Sequence, residues 1–120
     1  MKVVSGLRIA LLTLTFAVIA VAPATSTHYD VTMTERDAGP DSERGTLELK
    51  IPTTGLITGM YRDFDGGGPH PVTGGRQNGL IWLDYENVRV TATLGPKGLD
   101  GRAFRGDSPV EYVFRAVLTP

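Results

Sequence analysis

Two carboxylates and an imidazole lie close together in one glycine-rich segment of the sequence. Asp63, Asp65 and His70 flank the run Gly66-Gly67-Gly68. Carboxylate oxygens and imidazole nitrogens bind divalent cations, and the same groups act as general acids and bases. A calcium loop of the EF-hand type needs further ligands at its fifth and twelfth positions, and glycine occupies both here. We therefore predict a glycine-rich hairpin loop at this place, with no bound metal or cofactor.

Other catalytic arrangements have little support in the sequence. Beyond residue 24 the serines are Ser26, Ser42 and Ser108, and none of them lies in a Gly-x-Ser-x-Gly motif. Asp84 and Glu86 would project from one face of a continuing strand, although such a pair at a hairpin end is commonly solvated. The chain has no cysteine, which excludes thiol chemistry, disulfides and cysteine metal sites.

The charge balance argues against nucleic acid as a partner. Of the 12 basic side chains, Lys2 and Arg8 lie in the first 24 residues, whereas all 13 acidic ones lie beyond, so residues 25–120 carry a net charge of −3. No basic stripe is present, and such a stripe is the usual footprint of a nucleic-acid or anionic-membrane surface.

The first 24 residues have the pattern of a secretory signal peptide. Lys2 and Arg8 precede an uncharged apolar run over 9–22, and Ala22-Pro23-Ala24 places small residues at the positions that signal peptidase reads. The run is shorter than the roughly 20 apolar residues that span a membrane. We expect a signal-peptide helix at residues 1–24, cleavage after Ala24, no membrane anchor thereafter, and a bacterial protein that is secreted or periplasmic.

The rest of the chain alternates apolar and polar residues with a period of two, which is typical of β-strands. The alternation is clearest over 46–51, and the acidic segment 35–44 is predicted to be a loop. The predicted strands cover residues 29–34, 46–51, 56–62, 71–74, 79–85, 88–94, 99–104 and 110–118.

Short turns rich in glycine and proline separate these strands, and such turns join antiparallel neighbours. Eight consecutive antiparallel strands protect their edges best by closing into a barrel. We therefore predict that residues 25–120 form one all-β domain, an eight-stranded up-and-down β-barrel, with a two-sheet β-sandwich as the alternative. A barrel of this size encloses at most one small ligand.

The stretch Leu56-Ile57-Thr58-Gly59-Met60-Tyr61, together with residues 72–75, 79–83, 88–94 and 112–118, resembles the avidin-like and lipocalin-like small barrels. The resemblance implies the barrel fold, and it implies that Tyr61, which matches the tyrosine of a Thr-Gly-x-Tyr motif, lines a ligand pocket. Biotin binding is not expected, because that family surrounds biotin with several tryptophans and this chain has one, Trp82.

The fold and the lack of catalytic motifs favour a binding module for a small apolar molecule or a protein surface. The predicted ligand-binding residues are Tyr61, Trp82, Tyr85, Tyr112 and Phe114. Asp63, Asp65 and His70 are predicted to lie in a loop at the barrel mouth.

Two alternatives remain open at this stage. One is a small secreted enzyme that uses Asp63, Asp65, His70 or Asp84. The other is a barrel of the protease-inhibitor kind, whose amino-terminal arm at Thr25 to Asp30 enters an enzyme cleft. Strands 80–85 and 112–118 are apolar on both faces, which predicts a shared outer apolar patch and leaves self-association open.

Overall fold

The computed structural model describes residues 25–37 and 42–120, which form eight β-strands. Each predicted strand matches one observed strand, with ends that differ by a few residues. The strands are β1 (Ser26–Glu35), β2 (Ser42–Lys50), β3 (Ile57–Asp63), β4 (His70–Gln77), β5 (Leu80–Tyr85), β6 (Val88–Gly95), β7 (Gly98–Arg105) and β8 (Tyr112–Leu118).

The eight strands close into one antiparallel barrel. Each strand pairs with the next along the chain, and β8 pairs with β1. Turns of two residues join β4 to β5, β5 to β6 and β6 to β7, and turns this short permit only antiparallel neighbours. The predicted up-and-down barrel is confirmed, and its closure excludes the β-sandwich.

Apolar side chains from alternate positions of every strand form the core. In β2, for example, Leu47 and Leu49 are buried whereas Thr46 and Glu48 are exposed, as the two-residue period requires. The buried apolar residues are Tyr29, Val31, Met33, Leu47, Leu49, Ile57, Tyr61, Val72, Ile81, Leu83, Tyr85, Val88, Val90, Ala92, Leu99, Ala103, Phe114 and Ala116.

The two ends of the barrel differ in what they carry. We call the end at which β1, β3, β5 and β7 finish the mouth; the connections that the structure describes in full there are residues 64–69, 86–87 and 106–111. The opposite end has the connections 51–56, 78–79 and 96–97. Because β1 begins and β8 finishes at the opposite end, Thr25 and Pro120 both lie away from the mouth.

Strands β1 and β2 extend further toward the mouth than predicted. Glu35 belongs to β1, and Ser42 and Glu43 belong to β2, so the predicted loop over 35–44 is wrong at both of its ends. Thr34 pairs with Ser42, and their hydroxyl groups are 2.7 Å apart. The inward positions near the mouth are charged, so the alternation of apolar and polar residues stops before the strands end. The sequence pattern therefore does not predict these strand ends.

Gly45 in β2 makes room for an aromatic ring inside the barrel. A Cβ atom at this position would overlap the hydroxyl end of Tyr61 on β3. Gly45 pairs with Asp63, so Tyr61 is its diagonal neighbour across the two strands. The Tyr61 ring therefore covers the glycine, as aromatic residues do for glycines in other curved sheets.

The outer surface also carries apolar side chains on two strands. Leu80 and Trp82 of β5 point outward, as do Val113 and Val117 of β8. Strands β6 and β7 lie between β5 and β8. The predicted apolar patch shared by these two strands is therefore wrong.

The predicted signal peptide, residues 1–24, and its cleavage site lie outside the described residues. Within the ranges 25–37 and 42–120 we find no helix with the length and apolar character needed to cross a membrane.

Candidate functional site at the barrel mouth

The inward-facing positions change from apolar to polar where the strands reach the mouth. On β2 the inward series Leu49, Leu47, Gly45 ends in Glu43, and on β3 the series that includes Tyr61 ends in Asp63. The same alternation makes His70 of β4 and Arg105 of β7 face inward at their ends of the strands. A layer of ionisable side chains thus covers the apolar core.

This polar layer encloses a cavity of about 210 Å³. Its volume is below the range of roughly 300–1,000 Å³ that is typical of pockets for drug-sized ligands. The cavity is lined by Glu43, Tyr61, Asp63, His70, Tyr85, Glu86, Asn87, Val88 and Arg105.

His70 lies between two carboxylates that come from different parts of the barrel. Its Nε2 atom is 3.1 Å from Oδ2 of Asp63, and its Nδ1 atom is 3.0 Å from Oε2 of Glu86. A neutral imidazole carries one N–H, so it donates to one of these carboxylates, whereas a protonated ring donates to both. The imidazole therefore links β3 to the turn between β5 and β6.

Glu86 occupies a backbone conformation that suits glycine or asparagine better. Its φ of 51° lies in the left-handed region, in the two-residue turn that joins β5 to β6. At the opposite end of the barrel, the turn between β4 and β5 has Asn78 in the same region with a φ of 58°. Glutamate at position 86 costs free energy in this turn, and its side chain is the one that contacts His70.

Two stacked tyrosines lie under the cavity. The rings of Tyr61 and Tyr85 are 4.6 Å apart between centroids, and the His70 ring lies 6.3 Å from Tyr61 on a nearly parallel plane. The Tyr85 hydroxyl donates to Sδ of Met33 at 3.5 Å. This stack separates the polar layer from the apolar core.

The environment of the two phenols keeps them neutral. Burial, with smaller contributions from the charges of Asp63 and Glu43, raises the pKa of Tyr61 to about 12. Burial, followed by the neighbouring Tyr61, raises the pKa of Tyr85 still further. Both hydroxyl groups are therefore protonated at physiological pH, and neither can act as a base there.

Arg105 is the one arginine that lines the cavity. Its Nη2 atom forms an ion pair with Glu43, and its guanidinium carbon lies 5.2 Å from the centroid of the Tyr112 ring. Its Nε atom is buried and has no hydrogen-bond partner within the described part of the chain. Burial alone would lower the pKa of Arg105, but the hydrogen bond and charge of Glu43 outweigh it and raise the pKa.

The structure brings part of the predicted ligand-binding set to the mouth. Tyr61 and Tyr85 lie under the cavity, and Tyr112 is half-buried beside Arg105. Phe114 is fully buried in the core, below the cavity. Trp82 faces outward, where its ring packs against Gly75 on the neighbouring strand.

The residues predicted for the mouth loop and for the carboxylate pair lie in different parts of the structure. Asp63 ends β3 and His70 begins β4, so neither lies in the predicted loop, and their side chains are in contact. Asp65 lies in the connection, where it is exposed and accepts a hydrogen bond from the backbone N–H of Gly67 at 3.2 Å. Asp84 pairs with Arg89 on the outer face. Because β5 ends at Tyr85, the continuing strand that a shared face for Asp84 and Glu86 requires is not formed.

Sequence reasoning missed two residues of the site, Glu43 and Arg105, and it considered Glu86 only as a partner of Asp84. Barrel closure and the β5 to β6 turn bring them to the cavity from distant positions in the chain. In the part of the chain that the structure describes, no group of three histidine or acidic residues is arranged to hold a metal ion.

The amino-terminal arm expected of an inhibitor-like barrel is not free. Ser26 through Asp30 belong to β1 and pair with β2, with Ser26 opposite Lys50 and Asp30 opposite Thr46. An arm that enters an enzyme cleft needs an unpaired backbone, so residues 26–30 are unsuited to that role.

The comparisons with known proteins gave no match: no family model, no curated protein and no solved structure matches this chain. The avidin-like and lipocalin-like resemblance thus stays a prediction from the sequence.

Proposed function

We propose that the protein is a binding module whose mouth accepts a small, positively charged group such as an ammonium or a guanidinium. The observation that carries this proposal is the excess of carboxylates around the cavity. Glu43, Asp63 and Glu86 line it, against a single arginine, Arg105. With a neutral imidazole at His70 the lining carries a net charge of −2, which attracts cations.

The carboxylates differ in how well they are already neutralised. Glu43 has its own ion pair with Arg105, whereas Asp63 and Glu86 share the single ring of His70. Even a protonated His70 leaves one of these two carboxylates without a matching charge. A bound cation supplies it, and hydrogen bonds to charged groups are the stronger class.

The aromatic stack and the neutral phenols fit the same ligand. Tyr61 and Tyr85 both line the cavity, and their hydroxyl groups stay uncharged because their pKa values are raised. A neutral phenol hydroxyl can accept a hydrogen bond from an N–H group of the ligand. The polar character of this lining favours a charged ligand over the small apolar molecule expected from the sequence.

Amide chemical shifts measured by NMR during a titration with n-butylammonium test the proposal. We expect the shifts to be centred on the mouth, and n-butanol, which lacks the charge, to cause none of them. Asp63→Asn and Glu86→Gln keep the side-chain shapes and remove one charge each, so we expect each to weaken n-butylammonium binding about fivefold to tenfold.

Asp100→Asn is the matched control for these variants. Asp100 pairs with Arg115 on the outer surface, so its substitution changes the net charge by the same amount but leaves the mouth unchanged. If n-butanol binds as tightly as n-butylammonium, the mouth has no specific cation site. The same conclusion follows if Asp100→Asn weakens n-butylammonium binding as much as Asp63→Asn and Glu86→Gln do.

We also propose that the protein acts outside the cytoplasm, on the strength of the leader sequence and the predicted cleavage site. Mass spectrometry of the protein recovered separately from the periplasm and the medium of a bacterial host tests this. A chain that begins at Thr25 in either fraction supports the proposal, and an intact chain retained in the cytoplasm contradicts it.

A further inference from the structure

Phe64 is the most exposed large apolar side chain of the described residues. It lies at the rim of the mouth directly after Asp63, and 73% of its surface is accessible to solvent. Its backbone N–H donates to the carbonyl oxygen of Arg44 at 2.9 Å, so β2 fixes its position although the side chain is exposed. An aromatic ring held at the surface in this way is a common contact in protein interfaces.

The surface around Phe64 adjoins the mouth cavity. A second hollow, of about 330 Å³, is lined by residues 42–44 of β2, by Asp63 at the end of β3 and by Phe64 and Asp65 of the connection that follows. Glu43 and Asp63 line this hollow and also the mouth cavity. A ligand that places its cation in the mouth can therefore continue over the rim to Phe64.

The size of the mouth cavity indicates where the rest of the ligand lies. A volume of about 210 Å³ holds the charged end of a lysine or an arginine, but not a larger molecule. The remainder of such a ligand lies outside the cavity, on the rim. The large apolar surface available there is the free face of Phe64.

Arg44 covers one face of the Phe64 ring. Its guanidinium carbon lies 5.1 Å from the centroid of the ring. An apolar side chain of a ligand can pack on the other face without a charge penalty.

We infer that the natural ligand of the mouth is a protein segment that presents one lysine or arginine beside an apolar residue. The basic side chain enters the mouth cavity, and the apolar side chain packs on Phe64. This inference rests on the proposed cation site and adds the class of molecule that carries the cation.

Calorimetric titrations with two capped dipeptides, acetyl-Leu-Arg-amide and acetyl-Gly-Arg-amide, test the inference. We expect the leucine peptide to bind about fivefold more tightly than the glycine peptide, because it buries apolar surface against Phe64.

Phe64→Ser is the informative variant, and Leu56→Ser is its matched control. Leu56 is also a loop residue with an exposed apolar side chain, 63% accessible, but it lies at the opposite end of the barrel. We expect Phe64→Ser to abolish the preference for leucine over glycine and to leave n-butylammonium binding unchanged. Leu56→Ser is expected to change neither.

The outcomes separate this inference from the proposed function. If n-butylammonium binds at the mouth but the leucine and glycine peptides bind equally, the cation site stands and the inference is overturned in favour of a free small amine. If the wild-type protein binds neither n-butylammonium nor the peptides, the proposed function itself fails. A leucine preference that survives in Phe64→Ser also overturns the inference.

Discussion

Nδ1 of His70 lies 3.0 Å from a carboxylate oxygen of Glu86, a residue whose backbone φ of 51° is costly for glutamate. Asparagine tolerates the left-handed conformation better than other side chains do, because its short amide bonds to the local backbone. A glutamate in this turn therefore stabilises the fold less than an asparagine would. Costs of this kind are often retained at functional sites.

Two substitutions of Glu86 separate the backbone cost from the charge. Glu86→Gln and Glu86→Asn both remove the carboxylate, but asparagine fits the turn better. We expect Glu86→Asn to be about 0.5–1 kcal/mol more stable than Glu86→Gln in urea unfolding, and both to weaken n-butylammonium binding to a similar extent. If Glu86→Gln is the more stable of the two, the turn is not strained.

Gly45 gives a prediction about the packing of Tyr61. In Gly45→Ala the new methyl group would overlap the Tyr61 hydroxyl, so we expect a loss of about 2 kcal/mol in the free energy of unfolding and weaker n-butylammonium binding. Gly79→Ala is the control, because a Cβ atom there meets nothing within 4 Å. Equal stability of the two variants in urea unfolding would show that the Tyr61 ring does not depend on Gly45.

The raised pKa values of the buried phenols predict a loss of stability in alkaline solution. In the unfolded chain Tyr61 ionises near its usual pKa of 10, and in the folded barrel it ionises at about 12. Between these values the unfolded chain has released more protons, so the free energy of unfolding falls as the pH rises from about 10 to about 12. Tyr29 and Tyr85, whose pKa values burial also raises, act in the same direction.

Urea unfolding at about pH 9 and about pH 11 measures this effect, with ultraviolet titration of the folded protein as an independent check on the phenols. We expect Tyr61→Phe to reduce the loss of stability between these two pH values, because it removes one of the ionising groups. A loss that is as large in Tyr61→Phe as in the wild type would contradict the assignment to Tyr61.

The outward orientation of Trp82 predicts a structural role for this side chain. Trp82 pairs directly with Gly75, and a Cβ atom at Gly75 would lie 2.5 Å from Cζ2 of the indole ring. We expect Trp82→Ala to lower the free energy of unfolding by about 1 kcal/mol and to leave n-butylammonium binding unchanged.

Leu80→Ala is the control for Trp82→Ala, because Leu80 is exposed on the same face of β5 but lies opposite Gln77 rather than a glycine. Its substitution should cost less stability than that of Trp82. Loss of n-butylammonium binding in Trp82→Ala would restore the sequence-based interpretation of Trp82 as a ligand-binding residue.

The sequence predicts the barrel well because the core has a simple period. Buried positions such as Leu47 and Leu49 alternate with exposed ones, and the two-residue turns leave antiparallel pairing as the only choice. The prediction is less accurate near the mouth, where Glu43 replaces an apolar residue at an inward position. Periodicity in hydrophobicity cannot reveal a strand whose inward residue is charged.

The candidate site is only partly visible in the sequence for a related reason. Asp63 and His70 are close along the chain, so the sequence predicts that both lie at the same end of the barrel, but it does not predict their contact. Glu86 and Arg105 reach the same cavity through barrel closure, which sequence spacing does not encode. Glu86 contacts His70 from a position of positive φ, and no local pattern predicts that conformation for a glutamate.

Because Thr25 and Pro120 both lie at the end of the barrel remote from the cavity, a tag, a fused domain or a solid support attached at Pro120, or at Thr25 in a protein trimmed to begin there, leaves the acidic opening facing outward. Immobilised protein therefore presents the mouth of every copy to the solution, whichever of these two positions is used for attachment. The same arrangement allows several barrels to be joined in tandem without any linker passing over a neighbour's opening.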